Sequence, residues 1–200
     1  MIALVGLSGP AGIEKSLLAS MLRARGFVEA PIAEPIKAGL CAMLGIPRAL
    51  FEDPVLEELP ARPYGAAPRL LASSLEEWGR RIAGDDVWIR RLEARIAQLI
   101  RAGRRRIVVP DVRTEPEAAF IRESGGLMVH LRGRGSGAPG GAPGHATERG
   151  VALARGDLVI HNGGSAQDLE EQAARIASLF QNGGQAPAAG AVRGGLPWSG

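Results

Sequence analysis

Cysteine is almost missing from these 200 residues, with Cys41 standing alone. A single thiol excludes an intramolecular disulfide and a multi-thiolate metal site, and it fits a reducing compartment, where its expected role is that of a small buried hydrophobe. Three scattered histidines do not build a zinc site with it, and no Ser-His-Asp arrangement is legible from spacing. No apolar run approaches the ~18 residues that a membrane-crossing helix needs. The apolar start Met1 to Val5 lacks a basic leader and is too short for a signal sequence. These absences set the expectation of a soluble, cytoplasmic protein without a membrane partner. A net charge of +3 is also too small to argue for a nucleic-acid polymer as partner.

Lysine is scarce as well. It occurs twice, at Lys15 and Lys37, in a chain whose base is otherwise arginine. An ammonium is a compact point charge and a guanidinium a planar fork, so a site that needs the former stands out here. The length suits one compact domain with excursions.

What is present is an alternation of strand and helix patterns. Ile2 to Gly6 is a short buried strand leading through a glycine turn into a helix from about Lys15 to Arg25. A second strand is expected over Phe27 to Ile32 and a helix over Glu34 to Leu44, stopped by Gly45-Ile46-Pro47. Glu52 to Ala67 is rich in proline and small residues and is expected as a surface loop. Helical periods follow at Leu70 to Ile82 and Val87 to Ala102. Next come a β-branched run at Arg106 to Val109, a helix at Glu115 to Glu123, and strands at Leu127 to Leu131 and Asp157 to Ile160. A last helix begins at an N-cap Ser165 with Asp168 in the capping-box position. Such alternation predicts an α/β fold, a parallel sheet with helices on both faces. Ligands in such sheets sit beyond the carboxyl ends of the strands, where the segments at Gly9, Asp111 and Arg132 converge. The expected organisation is one domain over residues 1–181, with a helical insertion about 34–103 and a lid about 132–148, then a Gly/Pro-rich tail over 182–200. The glycine stretch 133–144 reads equally as a mobile lid or a plain linker.

Gly9-Pro10-Ala11-Gly12-Ile13-Glu14-Lys15-Ser16 meets the Walker A pattern everywhere except the second glycine. Gly9 and Gly12 let the backbone wrap a phosphate, Lys15 reaches the β and γ phosphates of ATP, and Ser16 holds Mg²⁺. Glu14 stands where the glycine belongs and puts a carboxylate beside a polyanion, unless it points outward or pairs with an arginine. Asp111, just past the Arg106 to Val109 strand, is placed to orient Mg²⁺ or its water, and Arg113 to clamp a phosphate. Arg132 and Arg134 offer cations to a transferring phosphoryl group. Each of these also has a plain surface alternative. Trp78 and Trp88 fit core packing or base stacking.

Several segments, in order, resemble the bacteriophage deoxynucleoside monophosphate kinase family. They are Gly6-Leu7-Ser8-Gly9 with Lys15-Ser16, Pro35-Ile36-Lys37, Glu77-Trp78-Gly79-Arg80 with Asp86-Val87-Trp88, Val109-Pro110-Asp111-Val112-Arg113, His145-Ala146-Thr147-Glu148, Gly156-Asp157-Leu158-Val159-Ile160, and Asn162-Gly163-Gly164-Ser165. The resemblance implies an adenylate-kinase-like P-loop fold and transfer of the γ-phosphate of ATP, with Mg²⁺, to a deoxynucleoside monophosphate. It further implies that Lys37, Arg69, Arg80, Trp88 and Arg113 contact the acceptor nucleotide, and that Arg132, His145 and Glu148 lie on or near the lid. Catalytic roles fall to Lys15, Asp111 and Arg132. The departures are Glu14, Leu17 in place of a second hydroxyl residue, and Ala72-Ser73-Ser74-Leu75-Glu76 in place of glutamine and Leu-Gly-Thr elements. They keep a non-catalytic nucleotide-binding relative open as the alternative, and a P-loop kinase for another small metabolite as a third. Monomer and homodimer are both open.

Overall fold

The computed structural model of the chain describes residues 2–10, 14–133, 151–162 and 165–180. Five strands form one parallel sheet: β1 (Ala3–Ser8), β2 (Val28–Glu29), β3 (Arg106–Val109), β4 (Leu127–Gly133) and β5 (Leu158–Asn162), in the order β2-β3-β1-β4-β5. All six residues of β1 are buried, because a central parallel strand is covered on both faces and can afford no polar side. Alternation then divides its side chains. Ala3, Val5 and Leu7, with Leu127, Val129 and Leu131 of β4, share one core with Leu18 and Leu22 of α1 (Lys15–Ala24) and with Ala173 and Ile176 of α7 (Ala166–Leu179). On the opposite face Gly6 lies under α6 (Glu115–Glu123). A Cβ at Gly6 would fall 2.6 Å from Met128 Sδ and 3.2 Å from Ile121 Cγ1.

This sheet and its helices belong to one compact unit, residues 1–31 with 93–200; residues 32–92 form a second. The second unit holds α2 (Glu34–Leu44), a 3-10 turn at Arg48–Phe51, α3 (Pro54–Glu58), α4 (Pro68–Ala83) and the beginning of α5 (Val87–Arg101). Its core gathers Ile36, Leu40, Ile46 and Phe51, against which Leu71, Leu75 and Trp88 pack. The expected surface loop at 52–67 contains α3, a correction with a clear cause. Asp53 accepts the N–H of Val55 at 2.8 Å and of Leu56 at 3.1 Å, and Pro54 takes the first helical position, where its missing N–H costs nothing. No described helix is long and apolar enough to cross a membrane.

Gly79 is where α4 and α5 meet inside the second unit. A Cβ there would fall 2.5 Å from Trp88 Cζ2, and the Trp88 indole N–H donates to the Glu76 carbonyl at 3.0 Å. Gly79→Ala should therefore displace the indole and cost about 1–3 kcal/mol, seen as a lower urea midpoint and a shifted tryptophan emission. An unchanged midpoint would show that the indole has room to give.

Candidate functional site

β1 ends at Ser8 and the glycine-containing loop begins at Gly9, whose φ of +150° is a backbone state that suits glycine. Residues 11–13, and with them Gly12, lie outside the described residues. Glu14 is exposed and occupies the N-cap position of α1 with φ −49° and ψ 44°, so the backbone at this position does not demand glycine. No side chain caps α1 and no acid stands in its first turn, so the helix dipole favours an anion at this end while the Glu14 carboxylate at the N-cap opposes one. Ser16 sits exposed in that first turn.

Lys15 curls back over the loop, donating to the carbonyls of Gly9 and Pro10 at 2.7 Å each. Burial holds its ammonium below the ordinary lysine range; the positive charge of Arg113 pushes the same way, and the carboxylate of Asp111 opposes both. Arg113 and Asp111 thus both act on the Lys15 ammonium, from 98 and 96 positions along the chain. Arg113 is exposed and Asp111 half-buried. The turn that carries them follows β3 and is stitched to β1: Val112 is buried and donates its N–H to the Leu7 carbonyl at 3.1 Å. Two cations and one carboxylate near a helix N-terminus have the chemistry that a phosphate and a hard cation call for.

The sheet places Arg132 near the carboxyl end of β4. Ser8 pairs with His130, so Arg132 lies two residues farther along, exposed, opposite His161 of β5. His145 and Glu148 lie outside the described residues, as do Arg134 and the rest of the 134–150 stretch.

In the second unit, the residues singled out for the acceptor each have a partner. Lys37 donates to the Phe51 carbonyl at 3.1 Å and to Glu57 Oε1 at 2.9 Å; Arg69 pairs with Glu58, and Arg80 with Glu76 at 2.7 Å. Trp88 is packed as described above, whereas Trp78 is 53% exposed. A depression between β5 and α7, lined in part by Leu158, His161, Gln172 and Arg175, lies toward the sheet edge and contains none of the candidate residues.

Two features were not singled out from the sequence. Glu117, 3% exposed, accepts the N–H of Arg113 at 2.8 Å and of Thr114 at 3.0 Å through one oxygen, Oε2. Its Thr-x-x-Glu spacing is a capping-box signal that could have exposed it. The second is a buried ionic clasp. Asp157 receives both Nε and Nη2 of Arg122, at 3.1 and 2.7 Å, the His130 ring nitrogen at 2.8 Å and the N–H of Ala154 at 2.9 Å. Arg122 also reaches Glu115 at 2.6 Å and the Ala152 carbonyl at 2.8 Å. The clasp ties α6, β4 and the 151–157 segment together.

Comparison with known proteins bears on this arrangement. The deoxynucleotide monophosphate kinase family model matches residues 82–173. The matched segment contains Asp111, Arg113, Glu117, Arg122, Arg132 and Asp157, and it stops short of the phosphate loop. The family resemblance drawn from the sequence thus holds over this part of the chain, and it supports a nucleotide-kinase type of phosphotransferase. No curated protein matches the chain. Among solved structures, the dephospho-CoA kinase from Campylobacter jejuni is similar at 10% identity, with a TM-score of 0.47, over 92% of this chain and 99% of that one.

Proposed function

We propose that the chain transfers the γ-phosphoryl group of ATP to the phosphate of a deoxynucleoside monophosphate. The observation that carries this reading is that the turn bearing Asp111 and Arg113 is bonded through the Val112 N–H to the Leu7 carbonyl of β1, the strand that leads into the loop over which Lys15 folds, so that both charges act on that ammonium. An acceptor phosphate oxygen attacks the γ-phosphorus, the bond from that phosphorus to the β–γ bridging oxygen breaks, and ADP leaves. No covalent intermediate on the protein is needed, so the residues act by position and charge. Lys15 and Arg113 neutralise the phosphoryl oxygens, and Arg132 supplies a further cation from β4. The uncapped first turn of α1 and the backbone at Gly9 cradle the donor phosphates.

Ser16 and Asp111 offer a hydroxyl and a carboxylate, which are hard oxygen donors. Among the described residues no cluster of three or more His, Cys, Asp or Glu could hold a metal by itself. That donor set fits Mg²⁺, which takes one or two protein oxygens and fills its octahedron with phosphate oxygens and water. When bound, Mg²⁺ would offset negative charge on the β and γ phosphates. For the acceptor, Lys37, Arg69 and Arg80 supply positive charge in exchange for the carboxylates of Glu57, Glu58 and Glu76, and Trp88 fixes the packing of α4 and α5 within the second unit.

A second reading, an impaired or non-catalytic nucleotide-binding relative, is favoured by Glu14. A carboxylate a few ångströms from a phosphate costs ~1 kcal/mol in water and more in a cleft. Its exposure places Glu14 at the weak end of that range. The experiment supplies ATP, Mg²⁺ and each deoxynucleoside monophosphate in turn, and follows ADP release by wild type and Glu14→Gly. Turnover by the wild type is expected on at least one acceptor, with Glu14→Gly faster by about fivefold. Activity in Glu14→Gly alone would establish the impaired relative. Silence from both with every acceptor would overturn the kinase reading.

A further inference from the structure

We infer that Glu117 is the positioning residue of the phosphoryl site, holding Arg113 in place through the backbone; this rests on the phosphoryl-transfer reading above. Arg113 is an exposed side chain on a turn of five residues between β3 and α6, and a long guanidinium on a loose turn would spend little time beside Lys15. Two ties remove that freedom. On one side the Val112 N–H is bonded to the Leu7 carbonyl, which fastens the turn to the strand that opens into the phosphate loop. On the other side a single oxygen of Glu117 accepts the N–H of both Arg113 and Thr114, from a side chain almost wholly buried at the start of α6. The residue that carries the charge thus has its own N–H anchored, and the anchor lies on the helix that packs over Gly6 in the middle of the sheet. Glu117 does not touch substrate in this assignment. It acts through Arg113, and because the contact is made by one oxygen as an acceptor, an amide can replace it.

The assignment predicts a specific pattern. Glu117→Ala should lower kcat about 10- to 100-fold, because a displacement of about 1 Å at a transferring group has effects of that size. KM for the acceptor should change much less. Glu117→Gln should restore kcat to within about threefold of wild type. In an Arg113→Ala background, Glu117→Ala should bring no further loss of kcat, since the residue it positions is gone. A merely structural capping role predicts the opposite: losses that multiply in the double variant and that follow thermal stability, not kcat. Multiplying losses, or a Glu117→Ala enzyme with wild-type kcat, would overturn the inference while leaving the kinase reading intact. Wild type that neither turns over nor binds Mg-ATP in a titration would overturn the kinase reading, and the Glu117 assignment with it.

Discussion

Lys15→Met should reduce phosphoryl transfer by at least about 10²- to 10³-fold while leaving the ligand-free chain as stable as wild type or more so. The loss follows from the proposed role: an ammonium beside the γ-phosphate meets charge that grows in the transition state. The unchanged or improved stability follows from the ammonium's surroundings. Burial, and after it the proximity of Arg113, hold the Lys15 pKa down, with Asp111 opposing. A lysine whose pKa is lower folded than unfolded carries a penalty while it is protonated, present at neutral pH and relieved as pH rises through the folded value. A neutral thioether of similar length removes that penalty, at the loss of the bonds to the Gly9 and Pro10 carbonyls. Thermal melts with and without Mg-ATP check both halves. Wild type should gain stability with ligand, about 2.7 kcal/mol at a hundredfold excess over Kd, and Lys15→Met should gain little. A variant that melts well below wild type, or that keeps the ligand-linked gain, would show that Lys15 is a structural lysine.

That result would separate two kinds of information in the loop. Motif spacing alone brings Gly9, Lys15 and Ser16 together, because they are neighbours on one turn. The approach of Arg113 and Asp111 to Lys15 depends on β1 and β3 pairing side by side, with Gly6 opposite Val109. The strand patterns suggested the convergence and left the pairing to the fold. Local signals served best where one face had to be apolar: α2 over Glu34–Leu44, β3 over Arg106–Val109 and α6 over Glu115–Glu123 all have the expected bounds. They served worst at the edges. β2 is expected over Phe27 to Ile32 and spans only Val28–Glu29, since an edge strand is bonded on one side and here to β3. The α3 helix is five residues long with no buried residue, so no apolar period announces it. Only the Asp53-Pro54 cap does.

The same contrast holds for charge. Glu117 sits three residues from Thr114, and its role was within reach of the capping-box pattern. The His130, Arg122 and Asp157 clasp was not, because its members belong to a strand, a helix and the entry to another strand. The family segment containing Gly156-Asp157-Leu158 marks the aspartate without saying what it holds. Gly79 is a parallel case. The motif Glu77-Trp78-Gly79-Arg80 and the later Trp88 occur together in the resemblance, and the fold supplies a packing cause: the indole lies where a Cβ at Gly79 would be.

Arg122→Met should be the most destabilising of these substitutions, by about 3–5 kcal/mol at neutral pH, because it strands a buried carboxylate. The side chain of Asp157 is 3% exposed and that of Arg122 15%. Burial by itself would raise the Asp157 pKa; hydrogen bonds from Arg122, the Ala154 N–H and His130 outweigh it and hold the carboxyl below its ordinary value. The sign follows. In wild type a carboxyl with a depressed folded pKa contributes stability that is fully present above the unfolded value, ~3.9, and is lost as pH falls through the lower folded value. In Arg122→Met the chief compensation is gone and burial dominates, so the folded pKa rises and stability falls as pH climbs through ~3.9 upward. The gap between wild type and variant should therefore be small near pH 3 and widest near pH 7, which urea titrations across that range would measure. Adding Asp157→Asn to Arg122→Met should recover part of the loss at pH 7, since no charge is then left buried. A gap that does not vary with pH, or a double variant no better than the single, would mean that Arg122 contributes through packing and through its bonds to Glu115 and Ala152, with the charge on Asp157 playing no part.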